Sequence, residues 1–523
     1  MFERSGVTLA ELQQIGRKVV RKGGKQVLLI ASDDRLFAVA NRCPHEGYPL
    51  SEGTLGPPCV LTCDWHNWKF DLSSGETLVG RDPVRAYPAR IEDGEIAVDL
   101  ADPPADLQRE RALRGLAAAM TDNDRTRMAR EVARLERAGF DGRLALVHAI
   151  ERANERLEGG MTHAHAAAAD WLALSERAPS ADLRLAALLE PIGHLAEDTL
   201  GAGRFPYAQG ELAWDTEAFL AAMEAEDEFA AQGYVRGALE DGMAYAQLRP
   251  ALGRAALAHY ADFGHSAIYV LKAGQLIERL GDAVTSPVLQ ALIRQLIYAR
   301  REDRLPEFRG YAGALAAWSN QRTRPAETAD LIGLSAPAIL KRLTASAGRP
   351  PTELFDALLG AAGWNMLHFD FELEQAAGRV IADNVSWLDF THALTFANAA
   401  RHLCTEAPEL WPAALLQLAL FVGRNKPFVN PQQDVAAWAV DDRAAFLERE
   451  MSALYDHAIP EPIIACHRIK VLFALEDELA CGPDAPWAGV VCAAVNRYLN
   501  TPMKRHHGLR LARQARAFVA KEG

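Results

Sequence analysis

Cys43-Pro44-His45 and Cys63-Asp64-Trp65-His66 are separated by the seventeen residues from Glu46 to Thr62. Each arm is a short loop that offers one sulfur and one imidazole nitrogen. Two thiolates and two imidazoles form a tetrahedral donor set for zinc, and the same donors also suit iron. Ligand type alone leaves both metals open. The flanking residues are more specific: Gly47, Pro49, Leu50 and Gly53 follow the first arm. The second arm runs on as Trp65-His66-Asn67-Trp68-Lys69-Phe70-Asp71, with Ser74-Gly75-Glu76 behind it.

Arms and flanks together resemble the Rieske ferredoxin family. That resemblance implies a [2Fe–2S] cluster with Cys43 and Cys63 on one iron and His45 and His66 on the other. Imidazole ligation leaves its iron less electron-rich and raises the reduction potential above that of an all-thiolate cluster. High-potential Rieske proteins carry an additional cysteine in each arm. Here those places hold other residues, Glu46 to Pro49 after the first arm and Asp64 and Trp65 within the second. The resemblance is therefore to the ferredoxin and oxygenase type. Cys59 lies outside the motif and reads as a small buried residue.

Outward from the arms the pattern is β. Val27-Leu28-Leu29-Ile30-Ala31 and Leu36-Phe37-Ala38-Val39-Ala40 flank Asp33-Asp34 as a hairpin. Residues 8–17 read as a short opening helix with Thr8 as its N-cap. Ser73-Ser74-Gly75 reads as a turn. A last hairpin runs from Val84 to Leu100 and reverses at Asp93-Gly94. These elements predict a small all-β domain over 1–102. Asp102-Pro103-Pro104 then breaks the strand pattern, which places a linker at about 101–108.

Residues 109–523 change character. Ala, Leu, Arg and Glu dominate, with apolar positions at three- and four-residue spacing. Thr126 to Ala138, Thr216 to Gly233, Leu289 to Ala299 and Val435 to Asp456 read as amphipathic helices. The fold class is thus multidomain: an N-terminal small all-β domain, then a large all-α domain. The formal net charge of −13 argues against a nucleic-acid partner. Seven cysteines, five of them outside the arms and irregularly spaced, read as a reducing compartment. No signal peptide is legible at the N-terminus, and no window approaches the ~20 apolar residues of a membrane span. The expectation is a cytoplasmic protein with no membrane partner.

A ferredoxin has no need of four hundred helical residues, so the second chemistry is sought there. Thirteen of the fifteen histidines lie beyond the arms. His163, His265, His392 and His467 stand in otherwise apolar segments on separate predicted helices. Each alone reads as a core histidine. Together, four imidazoles on four helices can converge in a bundle core, where helical proteins build their metal sites. Tyr269, Trp364, Trp387 and Phe396 are candidates for an aromatic cavity lining or for core. No glycine-rich dinucleotide loop appears, since Gly201-Ala202-Gly203 lacks a third glycine and follows no strand.

His265 to Glu278, Trp387 to Arg401 and His467-Arg468-Ile469-Lys470 resemble the questin oxidase-like family. This resemblance implies a non-haem iron held mainly by histidines, with His265, His392 and His467 as the matching positions. His163 matches less well, and His165 is an alternative for the same position. Lys470 lies one turn after His467. A protonated amine has no lone pair for a metal, whereas a carbamylated lysine ends in a carboxylate-like group. Asp389-Phe390-Thr391-His392 also resembles the start of the Rieske oxygenase ligand motif, but the next histidine, His402, is wrongly placed for it.

The expected protein is a mono- or dioxygenase. Its Rieske cluster passes electrons to a histidine-ligated iron in the helical domain, for O2-dependent oxidation of an aromatic or polyketide-like substrate. An external reductase or ferredoxin supplies the electrons. The rival expectations are an electron-transfer protein with a non-catalytic helical docking or binding domain, and a zinc-bearing hydrolase in the helical domain with the cluster as a redox sensor.

Overall fold

The computed structural model describes residues 2–32, 35–260, 262–504 and 506–522. The chain divides between Arg111 and Ala112 into two compact units.

Among the described residues the first unit contains ten strands: β1 (Phe2–Thr8), β2 (Arg17–Lys22), β3 (Lys25–Ser32), β4 (Arg35–Ala40), β5 (Thr54–Gly56), β6 (Val60–Cys63), β7 (Trp68–Asp71), β8 (Thr77–Val79), β9 (Ala89–Glu92) and β10 (Glu95–Asp99). They form three antiparallel sheets, ordered β1-β10-β9, β2-β3-β4 and β5-β6-β7-β8. β3 is apolar without alternation because both of its faces are covered. Leu28 and Ile30 join Phe37, Val39, Leu50, Leu61 and Phe70 in one core. Val27 and Leu29 join Leu12, Val20, Ile96 and Val98 in another. The buried sulfurs of Cys43 and Cys63 belong to the first of these cores.

The β3–β4 pairing runs from Val27 opposite Ala40 to Ser32 opposite Arg35; the predicted turn at Asp33-Asp34 lies outside the described residues. The last hairpin reverses at Asp93 and Gly94, whose φ values of 49° and 80° give the double left-handed turn that twisted strands favour. Its strands are shorter than the predicted Val84 to Leu100: before Ala89 there is an isolated bridge of Ala86 opposite Val39 in place of a continuous strand. The opening helix is Leu9–Ile15, and Thr8 with Glu11 forms a capping box. The strand ahead of it, β1, was not predicted.

The predicted linker is partly helix. The helix Ala105–Thr121 begins directly after Pro103-Pro104. Proline lacks an N–H that the first helical turn leaves unpaired anyway, so it stops the sheet without delaying the helix.

The second unit is built from helices around one large core. Predicted helices are present with shifted ends. Thr216 to Gly233 is two helices, Thr216–Glu224 and Glu228–Glu240, because Glu226 turns left-handed and Asp227 caps Ala230. The helix predicted from Leu289 begins earlier, at Asp282, and carries Pro287 inside it. The one predicted from Val435 begins only at Arg443, where Asp442 accepts the Ala445 N–H.

Four helices position the candidate site: His163–Glu176, His265–Leu280, Leu388–Glu406 and Pro462–Cys481. The His163 and Leu388 helices each pack on both the His265 and the Pro462 helix.

Candidate functional site

In the first unit, two tight loops present the arms. Gly47, at φ 79°, donates its N–H to the Cys43 carbonyl at 2.8 Å, and Cys43 donates its own to Tyr48. Asn67, at φ 60°, closes the second loop by donating to the Cys63 carbonyl at 2.9 Å. Glycine and asparagine are the residues that tolerate this left-handed backbone. Gly53 has a separate requirement, since a Cβ there would sit 2.1 Å from the Thr62 carbonyl oxygen.

The loops bring the four predicted residues together as two pairs, the Cys43 thiol beside that of Cys63 and the His45 ring beside that of His66. Cys43 and Cys63 are buried. The His45 and His66 rings meet edge to face at 4.5 Å, His45 stacks on Trp68 at 4.8 Å, and Tyr48 stacks on Trp65 at 4.0 Å. Burial, with the neighbouring Cys63 thiol, pushes the Cys43 thiol up to about 11. A buried thiol so reluctant to ionise becomes a thiolate only against a cation. Two buried sulfurs beside two paired imidazoles fit a cluster ligated by two Cys and two His.

In the second unit, His163, His265, His392 and His467 also come together. Ring centroids stand 4.6 Å apart for His163–His265 and His265–His392, 4.9 Å for His392–His467 and 5.0 Å for His163–His467. Each Nδ1 has a partner outside the group. His392 Nδ1 meets the Leu388 carbonyl at 2.6 Å and His467 Nδ1 the Ile463 carbonyl at 2.7 Å. His265 Nδ1 lies 3.3 Å from the Asp262 carboxylate, and His163 Nδ1 lies 3.2 Å from the Tyr269 hydroxyl. A carbonyl only accepts, so Nδ1 of His392 and His467 carries the proton and Nε2 is left as a lone pair. Those lone pairs point inward: His392 Nε2 is 2.8 Å from His265 Nε2 and 3.3 Å from His467 Nε2.

Electrostatics favour the neutral rings that metals bind. Burial first, then the Lys470 charge, holds His163 and His467 well below the ordinary histidine range. His392 is held there by burial and by His265 and His467. Lys470 is itself fully buried on the His467 helix, and burial lowers its amine pKa. Its Nζ has no hydrogen-bond partner in good geometry among the described residues.

His165 turns away from this group. Its Nδ1 accepts the Thr162 N–H at 3.4 Å, and burial followed by the His194 charge pushes it down to about 4. His402 pairs with Asp477 at 2.6 Å, far along its helix from His392. Trp387 and Phe396 are core side chains, and Trp364 stacks on His368 at 4.1 Å.

A cavity of about 640 Å³ opens beside the histidines, lined among others by His163, His265, His392, Phe263, Tyr269 and Gln295. A smaller cavity, about 310 Å³, lies elsewhere around Glu224, His259 and Arg301, whose side chains pair with one another. Sequence reasoning missed Asp262 and Phe263. Both hold left-handed backbone just ahead of Gly264 and His265, and nothing in residue type announces that.

Residues 7–88 match the family described as Rieske [2Fe-2S] domain. The 3-phenylpropionate/cinnamic acid dioxygenase ferredoxin subunit of Photorhabdus laumondii is 31% identical over 97 residues, which are 18% of this chain and 91% of that protein. Through its first unit, this chain belongs to the Rieske [2Fe–2S] family. Mouse Apoptosis-inducing factor 3 is 30% identical over 101 residues, 19% of this chain; the match spans 16% of that protein. Among solved structures, the ferredoxin of carbazole 1,9a-dioxygenase from Nocardioides aromaticivorans IC177 is 27% identical. It covers 19% of this chain and 96% of its own, with a TM-score of 0.18. A Rieske domain implies a [2Fe–2S] cluster and electron transfer.

Proposed function

We propose that this protein is a Rieske-linked non-haem iron oxygenase, with the cluster on Cys43, His45, Cys63 and His66 and a mononuclear iron among the helices. The observation that carries the second centre is the shared orientation of His163, His265, His392 and His467. Each is tied at Nδ1, and three have Nε2 atoms within 3.3 Å of another ring's Nε2. Neutral acceptors crowd in this way around a cation, and imidazole suits iron. The likeness of the helical segments to the questin oxidase-like family supports the same reading. Lys470, one turn from His467 and buried without a counter-ion in hydrogen-bond contact among the described residues, is assigned as a fifth donor through a carbamate, formed from its neutral amine and CO2 with loss of a proton; in that form its positive charge is gone and burial is what keeps the rings neutral.

When bound, the iron would supply oxygen activation with electrons drawn from the cluster. The chain's own residues do the rest. Leu388 and Ile463 carbonyls, Asp262 and Tyr269 fix ring tautomer and orientation, the role that second partners play around metal-bound histidines. Phe263 and Tyr269 give the cavity aromatic walls, while Gln295 and Asp389 supply polar anchors. Its volume and mixed lining suit a small aromatic or polyketide-like substrate. Dioxygenase ferredoxin subunits among the relatives support an external reductase as electron source.

Metal analysis of purified protein tests the proposal. About three irons per chain are expected, two in the cluster and one in the cage. Alanine at His392 or His467 should remove about one iron and leave the cluster absorbance intact. Two irons in the wild type would leave the electron-transfer reading with a non-catalytic helical unit. Two irons with one zinc would favour a hydrolase.

A further inference from the structure

The side chain that follows His45 is not one of the four predicted cluster ligands. Glu46 sits at the tip of the first loop, where the Cys43–Gly47 hydrogen bond turns the chain back. Its carboxylate lies against both cluster histidines at once, with Oε1 3.9 Å from His45 Nε2 and Oε2 3.8 Å from His66 Nε2. Nδ1 of His45 is a buried nitrogen, and its Nε2 is the one that faces the Glu46 carboxylate. One donor atom from each of His45, Glu46 and His66 falls within 4.8 Å of the others. The two rings converge edge to face, and a single carboxylate spans their outer edges.

We propose that the Glu46 carboxylate, by its charge against the outer edges of both His45 and His66, lowers the reduction potential of the cluster. Two effects act in the same direction. A carboxylate facing the N–H of a ligating imidazole makes that ligand more basic, which stabilises the oxidised metal. A negative charge near the cluster also disfavours arrival of an electron. The distances exceed those of direct hydrogen bonds, so the interaction is Coulombic or passes through water. Glu46 is half exposed, so its field is partly screened and depends on ionic strength. This makes the cluster a readier electron donor than its ligand set alone would. The inference rests on the Rieske unit and is independent of any iron in the helical unit.

The test is the cluster potential of the full-length protein, followed by visible absorbance at fixed pH for wild type, Glu46→Gln and Glu46→Lys. The potential should rise in that order, and the separation between the three should narrow as salt increases. Iron content and the electron paramagnetic resonance of the reduced cluster report whether all three hold the same centre. Equal potentials, or a Lys variant below the Gln variant, would overturn the proposal. Loss of the cluster from both variants with the fold retained would overturn it too, since Glu46 would then serve cluster assembly. An order that holds with no salt dependence would replace the charge by ring geometry and sink this account.

Discussion

His392 and His265, 127 residues apart in sequence, aim their Nε2 atoms at each other across 2.8 Å. The Leu388 carbonyl takes the His392 Nδ1 proton, so the His392 Nε2 lone pair faces its neighbour with a cation or a single shared proton as the only stabilising occupant. A metal chelator should therefore destabilise the helical unit. Saturating metal at about a hundred times its dissociation constant contributes about 2.7 kcal/mol. The expected result is a lower thermal midpoint for that unit after chelation, restored by ferrous iron, with the cluster absorbance unchanged. A midpoint indifferent to metal would count against the cage.

The partners of Nδ1 should matter nearly as much as the ligands. Asp262→Asn exchanges a charged acceptor at His265 for an amide, and Tyr269→Phe removes the hydroxyl 3.2 Å from His163 Nδ1. Loss of such a partner typically weakens metal binding about 10- to 100-fold. Competition with a chelator of known affinity would measure it. If both variants retain iron as tightly as the wild type, the tethers do not orient the rings.

Gly264 links strain to the site. It caps the helix that begins at His265, its φ is 75°, and a Cβ would stand 2.6 Å from the Phe396 ring. Alanine there meets both a left-handed backbone and a packed aromatic. Gly264→Ala should cost roughly 2 kcal/mol or more and weaken iron binding through His265. Unfolding in denaturant with parallel iron analysis would show the two losses together.

The legibility of this chain follows the range of the signals. The Rieske arms were readable because both ligand pairs are local and their turn residues, Gly47 and Asn67, lie beside them. The apolar run Val27 to Ala31 was readable as a hairpin strand; that both faces of β3 are covered came only with the structure. The histidine group was readable only as four separate candidates, since periodicity places a residue on a helix face and says nothing of which faces meet. His163 and His165 show the limit. Two residues apart on one helix, His163 is half-buried and His165 buried; packing turns the first toward His265, while the capping contact with Thr162 holds the second toward Thr162 and His194. Asp262 and Phe263 stayed hidden because left-handed backbone at Phe leaves no mark in residue type, and Asp262 lacks the directly following glycine that marked Asp93-Gly94.

Cys63→Ser separates the two units. Cys63 is buried in the core that also holds Leu28, Ile30 and Phe70. Serine is a poor ligand for the cluster and places a hydroxyl among apolar neighbours, a burial that costs about 1–3 kcal/mol when unpaired. The variant should lose the cluster absorbance and lower the first unit's thermal transition. The helical unit's transition and its metal content should stay as in the wild type. A joint loss would mean that the two units do not fold independently.

Glu302 gives the helical unit a pH dependence of definite sign. Its side chain is buried, Oε2 accepts the Phe263 N–H at 3.1 Å, and burial pushes its carboxyl up to about 7 from an ordinary 4.5. Between those values the folded protein keeps a proton that the unfolded chain has released, so the contribution of this group to stability is fully present below about 4.5 and is lost as pH rises through about 7. The loss is on the order of 3 kcal/mol. Glu302→Gln keeps an oxygen for the Phe263 N–H and removes the titration. Relative to wild type, the variant should gain stability steadily as pH rises over that window, then hold a constant advantage above it. Unfolding curves for the two proteins that shift in parallel across the window would show that Glu302 ionises as easily in the folded chain as in the unfolded one.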